Sequence, residues 1–446
     1  MTELFPFQKE GVKLIEQFDG RVLLADEMGL GKSIQSLDYI IKNDIYPALI
    51  VCPASLKENW RLECMKHYGA EAVVLYGAKA SLSSMITKPK IVIVNYDILA
   101  YRFNELKKYK WQIVVLDECH YIKSPNAKRT KYAVSLCRKA DKCIAISGTP
   151  ILSNPFELYN ILWVLLGDDL ETRYEYIANY CVMRYSIWSG KSEYVRGKNL
   201  DDLHGRLKTL CMIRRLKKNV LKELPDKQRN VIPIRLSAAD ARSYRQMEKD
   251  LLTWLRVNKG TVKLKMDAKC KWGYLMRQVA HFKFNQCMQW VLDFLESTGD
   301  RKIVLFAIHI SILNRIEEAL DKAKIKGVRI DGGVSTQMRQ KAVDQFQNNP
   351  KVRVLFGQII PAGVGWTMTA ASDVAFFELH TVPAIHHQAE DRIHRIGQKN
   401  AATAHYFISE GTVEERVQNK LLQKDVTCNG ILEGNAFSEF LVEDVM

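Results

Sequence analysis

Two stretches of this chain repeat one grammar. Short β-branched runs alternate with amphipathic segments of helical length, the pattern of parallel βα units. In the first stretch the expected strands are 21–25, 47–52, 72–76, 91–95, 112–117 and 142–147. In the second they are 302–307, 328–331, 352–356, 373–379 and 404–408. Between them, 155–300 lacks strand periodicity apart from 230–236 and reads as mostly helical. The expected fold class is therefore α/β, two parallel-sheet lobes with helical insertions between and within them. Lobe one spans 1–222, with a helical protrusion over about 155–212. Lobe two spans 223–446, with a helical, basic protrusion over about 237–280 and a C-terminal helix over about 412–425.

The 446 residues suffice for two or three cores. No apolar run reaches the roughly 18 residues of a membrane span. The N-terminus has neither a basic n-region nor a long apolar h-region, so secretion is not expected. Ten cysteines without a C-x-x-C pair fit reduced thiols. The expected compartment is cytoplasmic, with the nucleoid or a host cytoplasm in a bacterial or viral setting and the nucleus in a eukaryote. The formal net charge of +15 favours a polyanion as partner. Between Arg256 and Lys283 stand eight Lys/Arg against one acidic residue, Asp267, and Arg214-Arg215-Leu216-Lys217-Lys218 is a second basic cluster. Both point to nucleic acid.

Three segments carry chemistry. Residues 25–33, Ala-Asp-Glu-Met-Gly-Leu-Gly-Lys-Ser, lie between an expected strand and an expected helix, where a glycine loop cradles phosphates on backbone N–H groups. Lys32 would reach the β/γ-phosphates and Ser33 would hold Mg²⁺. The general phosphate-loop pattern wants glycine where Asp26 stands. The run Ile113-Val114-Val115-Leu116 leads into Asp117-Glu118-Cys119-His120, which offers a second Mg²⁺ ligand, Asp117, and a water-activating base, Glu118. Residues 388–398 contain Arg392 and Arg395, three apart and so on one face of an expected helix. Paired guanidiniums suit the spread charge of a phosphoryl group in transfer. Gln8 could be a surface amide or an adenine reader, and Ser147-Gly148-Thr149-Pro150 taken alone is an ordinary turn. His380, His386, His387 and His394 crowd together, but the sequential pair His386-His387 has poor geometry for one ion.

In order along the chain, Gln8, the glycine loop, Pro53-Ala54-Ser55-Leu56, Asn95-Tyr96-Asp97, Asp117-Glu118-Cys119-His120 and Ser147-Gly148-Thr149-Pro150 run down lobe one. Met212-Ile213-Arg214-Arg215 and Leu224-Pro225-Asp226-Lys227-Gln228 follow, then Ile330-Asp331-Gly332, Gly363-Val364-Gly365 and 388–398. This series resembles the Swi/Snf-type family of superfamily-two helicase-like ATPases over essentially the whole chain, nearest its annealing-helicase branch. The resemblance implies two RecA-like lobes with ATP and Mg²⁺ as cofactors and double-stranded or branched DNA as a sequence-independent partner, acted on by a monomer. It implies nucleotide contacts at Gln8, Asp26, Glu27, Met28, Gly29, Leu30, Gly31, Lys32, Ser33 and Gly365. Hydrolysis would rest on Lys32, Asp117, Glu118, Arg392 and Arg395. Contacts to the phosphodiester backbone are implied for Ser55, Lys57, Asn95, Thr149 and Thr336. The family's usual Ala-Gly-Gly is Pro361-Ala362-Gly363 here, its common Leu is Trp366, and its Trp-Asn-Pro is Thr381-Val382-Pro383. The expected activity is a DNA-stimulated ATPase that translocates on the duplex. The rivals are a strand-separating DNA or RNA helicase and a nucleic-acid-binding module without turnover.

Overall fold

The structure is a computed structural model that describes residues 3–77, 89–186, 191–257, 262–362 and 366–434. Two compact units emerge. The first gathers the chain up to Val182, Arg196–Lys222 and the stretch from Val426; the second gathers Met183–Val195 and Glu223–Asp425.

The first unit is built on β1 (Arg21–Leu24), β2 (Ala48–Cys52), β3 (Ala72–Val74), β4 (Ile91–Asn95), β5 (Ile113–Asp117) and β6 (Lys142–Ile146). Between β6 and residue 212 lies a separate two-stranded sheet, β7 (Cys181–Ser186) with β8 (Lys191–Gly197), most of which belongs to the second unit. A last short strand, β9 (Met212–Ile213), closes the large sheet, whose order is β3-β4-β2-β5-β6-β1-β9 with every pair parallel. Strands β2, β4 and β5 are buried throughout, as strands covered by helices on both faces must be. Register places Leu24 opposite Ile146 and Ile146 opposite Asp117, so three strand ends meet along one edge.

The second unit holds β10 (Lys227–Ile234), β11 (Ile303–Ala307), β12 (Gly327–Ile330), β13 (Val354–Gln358), β14 (Asp373–Phe376) and β15 (Ala402–Ser409), in the order β10-β15-β14-β11-β13-β12, again parallel. Pro233 is tolerated in β10 because that strand lies at the sheet edge. Two α/β lobes are thus as expected. Among the described residues no helix is long and apolar enough to cross a membrane.

Three elements differ from the sequence reading. The stretch 155–212 is helical at Tyr159–Leu166, Arg173–Tyr180 and Leu200–Leu210, yet it also contains the β7–β8 hairpin. The strand at 230–236 begins earlier, at Lys227. The C-terminal helix runs Val413–Glu433, and its last turns belong to the first unit. There Ile431 and Leu432 are buried in the lobe-one core, and Cys428 Sγ lies 3.7 Å from the Ile151 carbonyl. The division at 223 therefore does not hold for this segment.

Candidate active site

Helix α1 (Pro6–Gln17), β1 and helix α2 (Lys32–Lys42) frame the glycine loop. The loop turns through left-handed backbone at Gly29 (φ 85°) and Gly31 (φ 72°). A Cβ on Gly31 would come within 2.4 Å of Gln8 Nε2, so the residue must be glycine on both counts. Gln8 is buried against this turn: Nε2 donates to the Leu30 carbonyl at 3.3 Å, and Oε1 accepts from Phe5 N at 3.0 Å. Lys32 opens α2 and folds its ammonium back over the loop, donating to the carbonyls of Asp26 at 2.7 Å and Glu27 at 3.2 Å. Burial lowers its pKa to about 8, against the pull of the nearby carboxylates of Asp26, Glu118 and Asp117. Ser33 follows in the first turn of α2, where free N–H groups favour an anion.

The structure supplies a reason for aspartate at position 26. Asp26 is fully buried, and Oδ1 accepts from the Arg215 backbone N and Nε, both at 3.0 Å. The Arg215 guanidinium also pairs with Asp26 Oδ2 and donates to Gln35 Oε1 at 2.6 Å. Its neighbour Arg214 donates to the Ala25 carbonyl at 2.8 Å and the Gly148 carbonyl at 3.0 Å, and to Glu433 at 2.8 Å. Lys217 N donates to Glu27 Oε2 at 2.7 Å. A basic cluster that suggested nucleic acid thus braces the phosphate loop through Arg214, Arg215 and Lys217. The one signal in residues 25–33 was Asp26, an acid standing where a loop glycine is usual. Arg215→Ala would strand a buried carboxylate; a loss of about 3–5 kcal/mol in unfolding free energy is expected, read by urea titration. A loss below about 1 kcal/mol would overturn the brace.

At the end of β5, Asp117 and Glu118 diverge. Asp117 Oδ2 accepts from the Trp60 indole at 2.8 Å and Oδ1 from Glu118 N at 3.0 Å. Burial, and then the Glu118 charge, raise its pKa to about 7. Glu118 has left-handed backbone (φ 50°), which a non-glycine residue adopts at a cost and which recurs at functional sites. Its Oε2 accepts from Ser147 Oγ at 2.9 Å and lies 3.3 Å from His120 Nδ1. Burial pushes the Glu118 carboxyl up, but His120, Lys32 and Ser147 outweigh it and bring the pKa down to about 2. The same Ser147 Oγ accepts from Thr149 N at 3.1 Å. A Cβ on Gly148 would lie 2.6 Å from Met28 Cγ and 3.4 Å from Lys32 Nζ, so glycine lets this turn approach the phosphate loop. The turn at 147–150, ordinary in sequence, is therefore bonded to the acid beside it.

The residues expected at the DNA backbone fare differently. Ser55 lies half-buried in the turn Ala54–Leu56 at the end of β2. Asn95 ends β4, and its Nδ2 is 3.4 Å from Asp97 Oδ2. Thr149 is buried beside Ser147. Lys57 departs from expectation. It opens helix α3 (Lys57–Tyr68) but is 7% exposed, donates to the Leu75 carbonyl at 2.9 Å and lies 4.4 Å from the centre of the Tyr76 ring. Its ammonium is committed to the fold. The side chain of Thr336, at the start of the helix Thr336–Asn348, and all of Gly365 lie outside the described residues.

In the second unit, the helix expected to carry both arginines ends at Glu390. Arg392 and Arg395 stand in the turns that follow, so they do not share a helix face. Glu390 is buried between Arg229 and Lys227 and accepts from Tyr406 OH at 2.6 Å, which fixes the helix end. Gln398 Nε2 ties the turns to the carbonyls of Ala371 and Ile393 at 2.7 and 2.9 Å. Arg392 is 4% exposed and donates to the Trp366 carbonyl at 3.3 Å. Arg395 is half-buried, donating from Nε to the Asp391 carbonyl at 3.0 Å and from Nη1 to Thr367 Oγ1 at 3.2 Å. Lys283, last of the basic run that starts at Arg256, is also internal: it is fully buried on Glu414 at 2.7 and 2.8 Å.

The donor set at the strand ends suits Mg²⁺. Asp117 presents a carboxylate braced by two donors, Ser33 a hydroxyl at the helix start, and both are the hard oxygen ligands this ion takes.

Comparison with known proteins places the chain as a whole in a family. The model of the SNF2-related domain matches residues 7–281, and that of the helicase conserved C-terminal domain matches 285–397. A Caenorhabditis elegans protein, the SWI/SNF-related matrix-associated actin-dependent regulator of chromatin subfamily A-like protein 1 homolog, is 35% identical over 95% of this chain and 61% of its own length. The human DNA annealing helicase and endonuclease ZRANB3 is 34% identical over 97% of this chain and 41% of its own length. The chain therefore spans about half the length of these relatives. The solved Sulfolobus solfataricus SWI2/SNF2 ATPase core in complex with dsDNA is 25% identical, with 96% of this chain and 94% of that one covered and a TM-score of 0.45.

Proposed function

The chain belongs to the family of SNF2-related domains, and from that premise we propose that it is a DNA-dependent ATPase that translocates along the duplex. The observation that carries this reading is the meeting of Lys32, Asp117 and Glu118 at the carboxyl ends of β1, β5 and β6, where α/β sheets bind ligands. Loop N–H groups and Lys32 hold the triphosphate of ATP. Gln8, buried against the loop, would read the adenine. Ser33 and Asp117 would hold Mg²⁺, which would offset the negative charge of the triphosphate. Glu118 orients and deprotonates the attacking water, its carboxylate kept ionised by His120, Lys32 and Ser147. Arg392 and Arg395 would supply planar cations to the transferring phosphoryl group.

DNA as the polymer is supported by the net charge of +15 and by the human relative, which bears the name DNA annealing helicase. Ser55, Asn95, Thr149 and Thr336 grip phosphates without reading bases, which suits sequence-independent tracking on duplex or branched DNA. Binding should weaken steeply with salt and vary little with sequence. Duplex or forked DNA should stimulate hydrolysis more than single strands or RNA. With ATP, a triplex-forming strand should be displaced while a long plain duplex stays paired. The test is triplex displacement beside a strand-separation assay. Separation of the plain duplex without triplex displacement would make the protein a strand-separating helicase instead.

A further inference from the structure

Helix α3 has contacts at both ends that the roles assigned above do not use. At its start, the turn Ala54–Leu56 carries Ser55. One turn into the helix, Trp60 is 2% exposed, and its indole N–H is aimed at Asp117 Oδ2 at 2.8 Å. At its far end, Tyr68 OH lies 3.0 Å from Asp38 Oδ1 and 3.3 Å from the Ile34 carbonyl, both on α2, the helix that Lys32 opens. One short rigid element thus touches the proposed backbone-contact turn, the Mg²⁺ carboxylate and the phosphate-loop helix.

We propose that Trp60 is a positioning residue, which fixes the Asp117 carboxylate for Mg²⁺ and couples duplex binding at Ser55 to the metal site through α3. Asp117 needs such a donor. With Oδ1 held by its neighbour's N–H, the hydrogen bond from Trp60 decides how the carboxylate is rotated. A phenylalanine would fill most of the same space and could not make that bond. This inference rests on the reading of Asp117 as a Mg²⁺ ligand and of Ser55 as a DNA contact.

The experiment compares the full chain with Trp60→Phe. Mn²⁺ binding in the presence of ADP is followed by electron paramagnetic resonance, and duplex binding and the DNA-stimulated to basal ATPase ratio are measured beside it. Losing one hydrogen bond to a carboxylate should weaken Mn²⁺ binding about tenfold or more. ADP binding in EDTA and duplex binding should be unchanged, and the stimulation ratio should fall. Unchanged Mn²⁺ affinity and an unchanged ratio would make Trp60 a packing residue and overturn the proposal. A variant too unstable to assay leaves a second measurement on the native fold. With 5-fluorotryptophan incorporated, the fluorine resonance of Trp60 must shift on adding Mg²⁺ and ADP, and a still resonance overturns the coupling. Wild-type protein with no metal-dependent ADP binding, or no stimulation by duplex, would fail the functional reading itself, a result distinct from either.

Discussion

Arg395→Ala is expected to reduce DNA-stimulated ATP turnover about a thousandfold or more, the usual effect of removing an arginine finger where one acts. ATP and DNA should each still bind, because the residues assigned to hold them are elsewhere. The structure makes Arg395 a cleaner test than Arg392. Arg395 is half-buried at the rim of its turn, whereas Arg392 is 4% exposed and helps hold the segment around Trp366. Arg392→Ala should therefore lower the melting temperature as well as turnover, and Arg395→Ala should lower turnover alone. Arg395→Lys should not restore activity, since a point charge lacks the planar fork. Stimulated turnover within a few fold of wild type in Arg395→Ala would remove this residue from the mechanism.

Glu118→Gln should lower turnover by on the order of a hundredfold or more while leaving ATP binding largely intact. The substitution keeps the side chain's shape, and the Ser147 hydroxyl, 2.9 Å away, can reverse its role and accept from the new amide. What disappears is the negative charge and the ability to take a proton. Lys32→Ala should show the opposite balance, with ATP binding weakened first, and equilibrium binding beside single-turnover hydrolysis separates the two. Hydrolysis at the wild-type rate in Glu118→Gln would assign the base elsewhere.

What was legible in the sequence follows from how locally each feature is encoded. Ile113-Val114-Val115-Leu116 is a short β-branched run that reads as a buried strand, and β5 indeed ends at Asp117, with Glu118 next to it. The β7–β8 hairpin could not be read this way. Arg184, Ser192, Glu193 and Arg196 interrupt its apolar residues, and the exposed strands show no buried face. Gln388-Ala389-Glu390-Asp391-Arg392 is a run that tolerates helix throughout, with no breaker before Gly397. Its regular helix stops at Glu390 and passes into turns, with Ile393 N on the Glu390 carbonyl at 3.1 Å, while Arg229, Lys227 and Tyr406, distant in sequence, hold the Glu390 carboxylate. Basic residues misled for the same reason. Lys57, Arg214, Arg215 and Lys283 count toward a polyanion footprint in composition, yet tertiary partners hold them inside the protein.

The brace on the phosphate loop also bears on the order in which a newly made chain matures. Asp26 leaves the ribosome early, but Arg215 lies 189 residues behind it. At typical synthesis rates that interval is roughly 10–40 s. Arg214 in turn meets Glu433 across a further 219 residues. The loop therefore reaches its final form well after its own residues have been made. Until Arg215 follows, the loop's carboxylate lacks its counter-ion, and Arg214 waits longer still for Glu433.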